Sequence, residues 1–284
     1  MKPVAFAYEA PETIDEALAL LAEHGDEATV MAGGQSLVPM LNLRLVRPRL
    51  IVDVNGLPGL GGLSVDDGDL RLGALARAAA VERDAAVAAG WPGLREALQY
   101  SGHPQIRNRG TVGGNVAHAD PASELPAVLL ALDGVVTLRS REGERDVSAR
   151  DFVLGPYTTA RRRDELLTEI RLGPAPRLSA FREVARRHGD FALVGVFAGV
   201  DTNDGVVAEA RISLCGASPA PVRAVEAERA LVGRPLDAAA IANAAEAAAA
   251  AVEPWDDLNG PAEYRRDLAF TLTRRTLAEL ARAA

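Results

Sequence analysis

Apolar positions in this chain fall into strand-like runs and helix-like stripes, alternating at first and segregated later. Val4–Tyr8 reads as a short strand. Thr13–His24 follows as a helix: Ile14, Ala17, Leu18 and Leu21 repeat at i, i+3, i+4 and i+7, and Thr13 with Glu16 forms a capping box. Ala28–Met31 is a strand, Pro39–Leu45 a short helix and Leu50–Val54 a buried strand. The glycine-crowded "NGLPGLGGL" at 55–63 predicts a turn-rich connection. Beyond it Leu70–Leu72 reads as a strand, and Ala78–Ala89 and Leu94–Tyr100 as helices. Asp120-Pro121 fits an N-cap and first helical residue, with the helix running to about Leu132. Strands at Val135–Arg139 and Glu165–Leu172 close this part.

"GPAPR", 173–177, reads as a linker, and the pattern changes after it. Three strands are expected in succession, Ser179–Ala185, Ala192–Asp201 and Val206–Leu214. Three helices follow, Ala224–Val232, Ala238–Val252 and Ala262–Ala283. Strands followed by helices predict a separate α+β unit, a three-stranded antiparallel sheet with three helices. The alanine-rich "AAAIANAAEAAAAAV" is read as helix, because alanine has the highest helix propensity. No repeat of 20–50 residues is present.

Composition narrows the function. The chain has 284 residues, 48% hydrophobic and 25% charged, enough for two or three compact units with sizeable cores. A net charge of −8 argues against a general nucleic-acid binder. The single cysteine, Cys215, excludes an intrachain disulfide and points to a reducing, cytoplasmic setting. It also cannot bind an iron–sulfur cluster alone, and its apolar neighbours suggest a packed core thiol. "MKPVAFAYEAPET" lacks the apolar core of a signal peptide, and no run is long enough to span a membrane. His24, His103, His118 and His188 are scattered without metal-ligand spacing, so no metal site is expected. No Ser-His-Asp or Cys-His set stands out, and no catalytic residue is assigned.

Two glycine motifs remain, "AGGQS" (Ala32, Gly33, Gly34, Gln35, Ser36) and "TVGGN" (Thr111 to Asn115). Glycine allows close approach of a ligand to the backbone, where successive N–H groups converge on an anion. Either motif alone reads as a tight turn or close strand–helix packing. Neither has P-loop lysine spacing, and no G-x-G-x-x-G opens a helix. Two such loops in one chain suggest a clamp on the two phosphates of a dinucleotide.

The motifs "AGGQSLVPMLNLRLVRPRLIVDV" and "RNRGTVGGNVAHADPASELPA" resemble the FAD-binding medium subunit of molybdenum hydroxylases, which include aerobic carbon monoxide dehydrogenase and xanthine dehydrogenase. The resemblance continues in "DFVLGPYTTA", "DELLTEI", "FREVARRHGDFALVGV" and "ISLCGASPAPVRA", covering nearly the whole chain. It implies a two-lobed FAD-binding domain of the vanillyl-alcohol-oxidase type over 1–175, with lobes at about 1–55 and 56–175. A C-terminal flavoprotein domain would occupy 176–284. It further implies an iron–sulfur small subunit carrying 2Fe–2S clusters and a large subunit carrying the molybdenum cofactor, assembled as a dimer of heterotrimers. The flavin would pass electrons to NAD, oxygen or a quinone.

Carried over by motif, Ala32, Gly33, Gly34, Gln35 and Ser36 wrap the FAD diphosphate. Thr111, Gly113, Gly114 and Asn115 face it from the other lobe. Glu124, and Asp120 beside it, point to the ribose or adenosine end. Leu167 lines the adenine or flavin pocket, and Phe191 lies near the isoalloxazine. Many relatives have histidine in place of Gln35 and lysine near Arg182 or Glu183. Bland readings stand beside these: Phe191 as core packing, Glu124 and Asp120 as helix-start carboxylates, and Arg161–Arg163 as a solvated loop or a partner contact. A stand-alone flavin oxidase or reductase, and a non-redox phosphate-binding module, are the alternatives.

Overall fold

The computed structural model describes residues 1–284. The chain opens with β1 (Ala7–Glu9), α1 (Ile14–His24), β2 (Ala28–Met31), α2 (Leu37–Asn42) and β3 (Leu50–Asp53). The three strands form a parallel sheet in the order β1-β3-β2. Thr13 and Glu16 cap α1 reciprocally, as the sequence predicts. The stripe Ala17, Leu18 and Leu21 is buried against Leu50, Val52 and Val54 of the sheet.

A second lobe follows: β4 (Leu63–Asp66), β5 (Asp69–Gly73), α3 (Ala78–Arg83), α4 (Ala85–Gly90), α5 (Pro92–Tyr100), α6 (Pro104–Arg109), α7 (Val112–His118) and α8 (Glu124–Ala131). It is completed by β6 (Val135–Ser140), β7 (Gly143–Ser148), α9 (Ala149–Phe152), β8 (Val153–Gly155), β9 (Thr158–Thr159) and β10 (Leu166–Leu172). Its main sheet is antiparallel, ordered β4-β5-β10-β6-β7. The helix expected over 78–89 is two helices. Asp84 breaks it by leaving helical geometry and accepting hydrogen bonds from the Ala86 and Val87 amides, which caps α4.

The start of α8 also differs from expectation. Asp120 accepts from the Ala122 amide and the Tyr157 hydroxyl, closing a turn, and the helix begins at Glu124 after Ser123. Ala119 sits in the left-handed region (φ 51°), which redirects the chain before any helix forms.

The last unit holds β11 (Leu178–Ala185), β12 (Ala192–Asn203), β13 (Val206–Cys215), β14 (Val222–Arg223), α10 (Val225–Leu231), α11 (Ala238–Ala250) and α12 (Ala262–Ala283). Its antiparallel sheet has four strands, not three: after the proline turn at 219–221, Val222 and Arg223 pair with Leu214 and Ser213. Two prolines and two residues of ladder leave no periodic signal in the sequence. No helix is long and apolar enough to cross a membrane.

Strand alternation in this sheet explains how the units join. Ala180, Val196, Ala198, Ile212 and Leu214 face α10–α12. The intervening Phe181, Phe197 and Cys215 enter the core of the second lobe, so Cys215 is the buried thiol expected of it. Gly93 of α5 lies under Phe197, where an added Cβ would come within 2.5 Å of the ring. The Gly93 amide donates to Ser179 Oγ, and Ser213 Oγ donates to the Ala127 carbonyl at 2.6 Å. Replacing Gly93 with valine overfills this joint. We expect Gly93→Val to lower unfolding stability by about 1–3 kcal/mol, read as a reduced urea midpoint at unchanged slope.

Candidate functional site

The ends of β2 and β3 bring the first glycine loop against the second lobe. A Cβ on Gly33 would sit 2.4 Å from the Arg109 carbonyl oxygen and 2.8 Å from Gly110 Cα, so only glycine allows this approach of two backbones. Gly34 adopts φ 72°, the left-handed region. The backbone N–H groups of Gly33, Gly34, Gln35, Ser36 and Leu37 find no acceptor within the protein. Five successive free donors in a curved loop form an anion-binding concavity without any lysine.

"TVGGN" works differently. The Val112, Gly113 and Asn115 amides donate to the carbonyls of Ala76, Ala74 and Thr111, and the Gly114 amide to Thr111 Oγ1. A Cβ on Gly113 would collide with Ala74, and one on Gly114 would lie 2.6 Å from Thr111 Oγ1. These glycines therefore serve packing and the N-cap of α7 rather than offering amides to a ligand. What this loop presents is the Asn115 side chain, whose Oδ1 is buried without a partner.

Between the loops lies a cleft of about 820 Å3, near the upper end of the range for cofactor sites. Every site residue named from the sequence lines it: Ala32 to Ser36, Thr111, Gly113, Gly114, Asn115, Asp120, Glu124, Leu167 and Phe191. Leu167 and the neighbouring Leu166 wall the cleft with Ala28, Thr29 and Arg161. Phe191 stands on the β11–β12 turn with Gly189 and Asp190, beside His103. Phe191 is 74% exposed, so it is not a core residue. Gln35 folds back to donate from Nε2 to the Gly33 carbonyl at 2.9 Å, which ties the loop to itself.

Glu124 is buried in the cleft wall within hydrogen-bonding reach of Ser101 and Glu183. Burial without a cation pushes its carboxyl up to about 7. His118, next to Tyr157, is held below the usual imidazole range by burial. Arg161 departs from the solvated-loop reading. Its guanidinium lines the cleft and donates to the carbonyls of Arg162 and Glu165, while Arg163 pairs with Asp26. Arg182 is engaged by Glu96 and Glu279 and is not free for a ligand.

Sequence reading missed the residues that hold the two loops together. Asn55 donates from Nδ2 to the Ala32 carbonyl and to Asp53 Oδ1. Arg77 donates to Asn55 Oδ1 at 2.8 Å and to the Arg109 carbonyl. Tyr8 completes the chain by donating to Asp53 Oδ2. Lone polar residues at strand ends carry no motif; their only signal is that Asp53-Val54-Asn55 directly ends a buried strand.

The residues present fit a long, doubly charged anionic cofactor: a run of free amides on one loop, an orphaned buried amide oxygen on the other, and apolar side chains among the rest of the lining. The fold and cleft thus define a dinucleotide-binding chain with an appended α+β unit. The chain belongs to the flavoprotein subunits of the molybdenum hydroxylases. Residues 4–175 match the FAD binding domain in molybdopterin dehydrogenase, and residues 179–280 match the CO dehydrogenase flavoprotein C-terminal domain. Its cofactor is FAD, and it is an oxidoreductase subunit.

Among relatives, the 6-hydroxypseudooxynicotine dehydrogenase complex subunit alpha of Paenarthrobacter nicotinovorans is 42% identical over 282 residues, covering 98% of this chain and 95% of that protein. Caffeine dehydrogenase subunit beta of Pseudomonas sp. (strain CBB1) is 39% identical over 285 residues, covering 99% and 96%. The structure of reconstituted CO dehydrogenase from Oligotropha carboxidovorans superposes with a TM-score of 0.97 at 36% identity, covering all of both chains.

The Asn55–Arg77 clasp gives a direct expectation. Asn55→Ala frees the Ala32 carbonyl and Arg77 together and lets the loops part. FAD affinity is expected to fall about tenfold, or about 1.4 kcal/mol, in a fluorescence titration, with the far-ultraviolet circular dichroism unchanged.

Proposed function

We propose that this chain is the FAD-carrying electron-transfer subunit of a molybdenum hydroxylase complex. Electrons reach it from 2Fe–2S clusters on a small partner subunit and leave for NAD, oxygen or a quinone. A large partner subunit with the molybdenum cofactor oxidises the substrate. The complex is a dimer of heterotrimers in the cytoplasm. The FAD-binding domain is the two-lobed vanillyl-alcohol-oxidase type, over about 1–175, and residues 176–284 form the second domain.

The observation that carries this reading is the run of free amides from Gly33 to Leu37, facing the orphaned Asn115 oxygen across the cleft. A diphosphate satisfies the amides without a lysine, and Asn115, turned to donate, meets it from the other side. Leu167 then borders the adenine half, and Phe191 the isoalloxazine. Asp120 and Glu124 line the same cleft and are assigned to the ribose or adenosine end. Bound FAD supplies a two-electron store that exchanges electrons singly, and the protein supplies position and electrostatics. The single cysteine supports an external iron–sulfur donor, since one buried thiol cannot hold a cluster. The names of the relatives, each a subunit of a dehydrogenase, support a partnered assembly.

The purified chain is expected to be yellow and to release FAD on denaturation, while turning over substrate only after its partners are added. A chain that neither carries nor takes up FAD refutes the reading. Turnover by the isolated chain instead favours the stand-alone oxidase. A second expectation concerns Asn115. Asn115→Asp keeps the shape and replaces an amide by a carboxylate facing the diphosphate. Its FAD dissociation constant is expected to rise at least about tenfold, with thermal unfolding of the apoprotein little changed.

A further inference from the structure

Glu183 has no role in the reading above, and its surroundings are unusual. It lies on β11 in register with Gly195 of β12 and, beyond it, Cys215 of β13. Phe181 and Cys215 fill the space over Gly195, where an added Cβ would be 2.6 Å from Phe181 Cζ and 2.7 Å from Cys215 Sγ. Glu183, two residues from Phe181 on the same strand, lies on the same face of the sheet, the one turned to the second lobe. Both of its carboxyl oxygens are buried, and neither receives a hydrogen bond from any donor in the protein. A buried carboxylate left this way would be strongly disfavoured.

The group that meets it is another carboxyl. Glu124, the first residue of α8 and only 5% exposed, lies within hydrogen-bonding reach of Glu183 and also lines the cleft. The other groups facing the pair are Ser101 and Tyr100 at the end of α5, Cys215 on β13, and Asp120 before α8; His188 packs on Tyr100. None of these supplies a positive charge in contact with the pair. The nearest arginine along the strand, Arg182, is taken by Glu96 and Glu279. Two carboxyls in contact, buried and without a cation, cannot both ionise.

We propose that Glu124 and Glu183 hold one proton in common across the joint between the FAD-binding and C-terminal units: Glu183 donates it to Glu124, so that the pair faces the cofactor with one negative charge and not two, and Glu183 is the positioning residue. This rests on the FAD reading for the identity of the ligand beside Glu124, but the shared proton is a property of the protein alone. Burial first, and then the neighbouring carboxyl, holds Glu183 above the usual carboxylate range; burial does the same for Glu124. A carboxyl raised on folding contributes fully below its ordinary value of 4.5, and the contribution is lost as pH rises through its folded value. The deflavinated chain therefore loses stability as pH climbs past neutrality.

The experiment uses the full chain, deflavinated and FAD-loaded, with Glu183→Gln and Glu124→Gln. In the deflavinated wild type at pH 7, infrared spectroscopy is expected to show the carbonyl band of a buried protonated acid, shifted in D2O. Each substitution is expected to remove it. Glu183→Gln does so because the amide donates to Glu124 and lets it ionise. For the wild type, the FAD dissociation constant is expected to rise about tenfold per pH unit once the shared proton is lost. For Glu124→Gln it stays flat, because the amide pairs with an ionised Glu183 and leaves no shared proton to titrate. Absence of the acid band in the wild type, its survival in both variants, or an unchanged pH profile in Glu124→Gln overturns the proposal. If one variant fails to fold, the other decides by the same band. Wild type that shows the band and binds no FAD at any pH refutes the FAD reading and leaves the shared proton standing.

Discussion

The structure turns on one backbone contact, that of Gly33 with the carbonyl of Arg109 and the Cα of Gly110. It is where the loop after β2 in the first lobe meets the end of α6 in the second. No side chain fits there, so the distance between the lobes is set by backbone van der Waals radii and not by flexible groups. Asn55 and Arg77 hold the contact by bonding the carbonyls on its two sides, those of Ala32 and Arg109. The loop that follows, Gly33 to Leu37, keeps its amides free because it runs into the start of α2, where the first amides have no carbonyl one turn behind them. Cleft width, donor direction and loop conformation thus share one cause.

The two glycine motifs look alike in sequence and differ in physics. In the first, Gly34 supplies a positive φ and the amides stay unsatisfied. In the second, the amides cap a helix and pair with β5-proximal carbonyls, and the glycines make room for Ala74 and Thr111. The proposed clamp is therefore asymmetric: backbone on one jaw, a side-chain amide on the other. Gln35 belongs to the first jaw as a brace on the Gly33 carbonyl. A residue that holds its own loop in this way has no need to titrate.

Most strands and long helices were legible because burial on one face imposes a period, as in α1 and β12. The Thr13 capping box was legible because it is local and reciprocal. The short helices α6 and α7 were not, since six or seven residues around glycines show no stripe. Nor was β14, where two residues pair only because Ser213 and Leu214 have already placed a ladder. The site residues in the glycine motifs could be named from adjacency in the chain. Asn55, Arg77 and Glu183 could not, because each matters only through a partner that folding brings from another lobe. Asp120 shows the converse hazard: its capping oxygen was foreseen, but the turn at Ala119 and the Tyr157 hydroxyl claim it before a helix can.

The C-terminal unit is tied to the cleft more closely than its place after a proline-rich linker suggests. Its sheet has two inward faces, one for its own helices and one for the second lobe, so Phe181 and Phe197 stabilise a core that begins outside their own unit. The same alternation that aims Phe181 at the second lobe aims Glu183, two residues on, at Glu124. The turn after that strand then carries Phe191 to the cleft mouth. Shifting β11 by one residue would turn Arg182 toward Glu124 and drive Glu183 and Phe181 against the helices on the other face. Register in this one edge strand therefore fixes the joint, the charge state of the cleft wall and the aromatic at its mouth. A change that loosens the Gly93–Phe197 contact should accordingly be felt at Glu124, although the two sites share no residue.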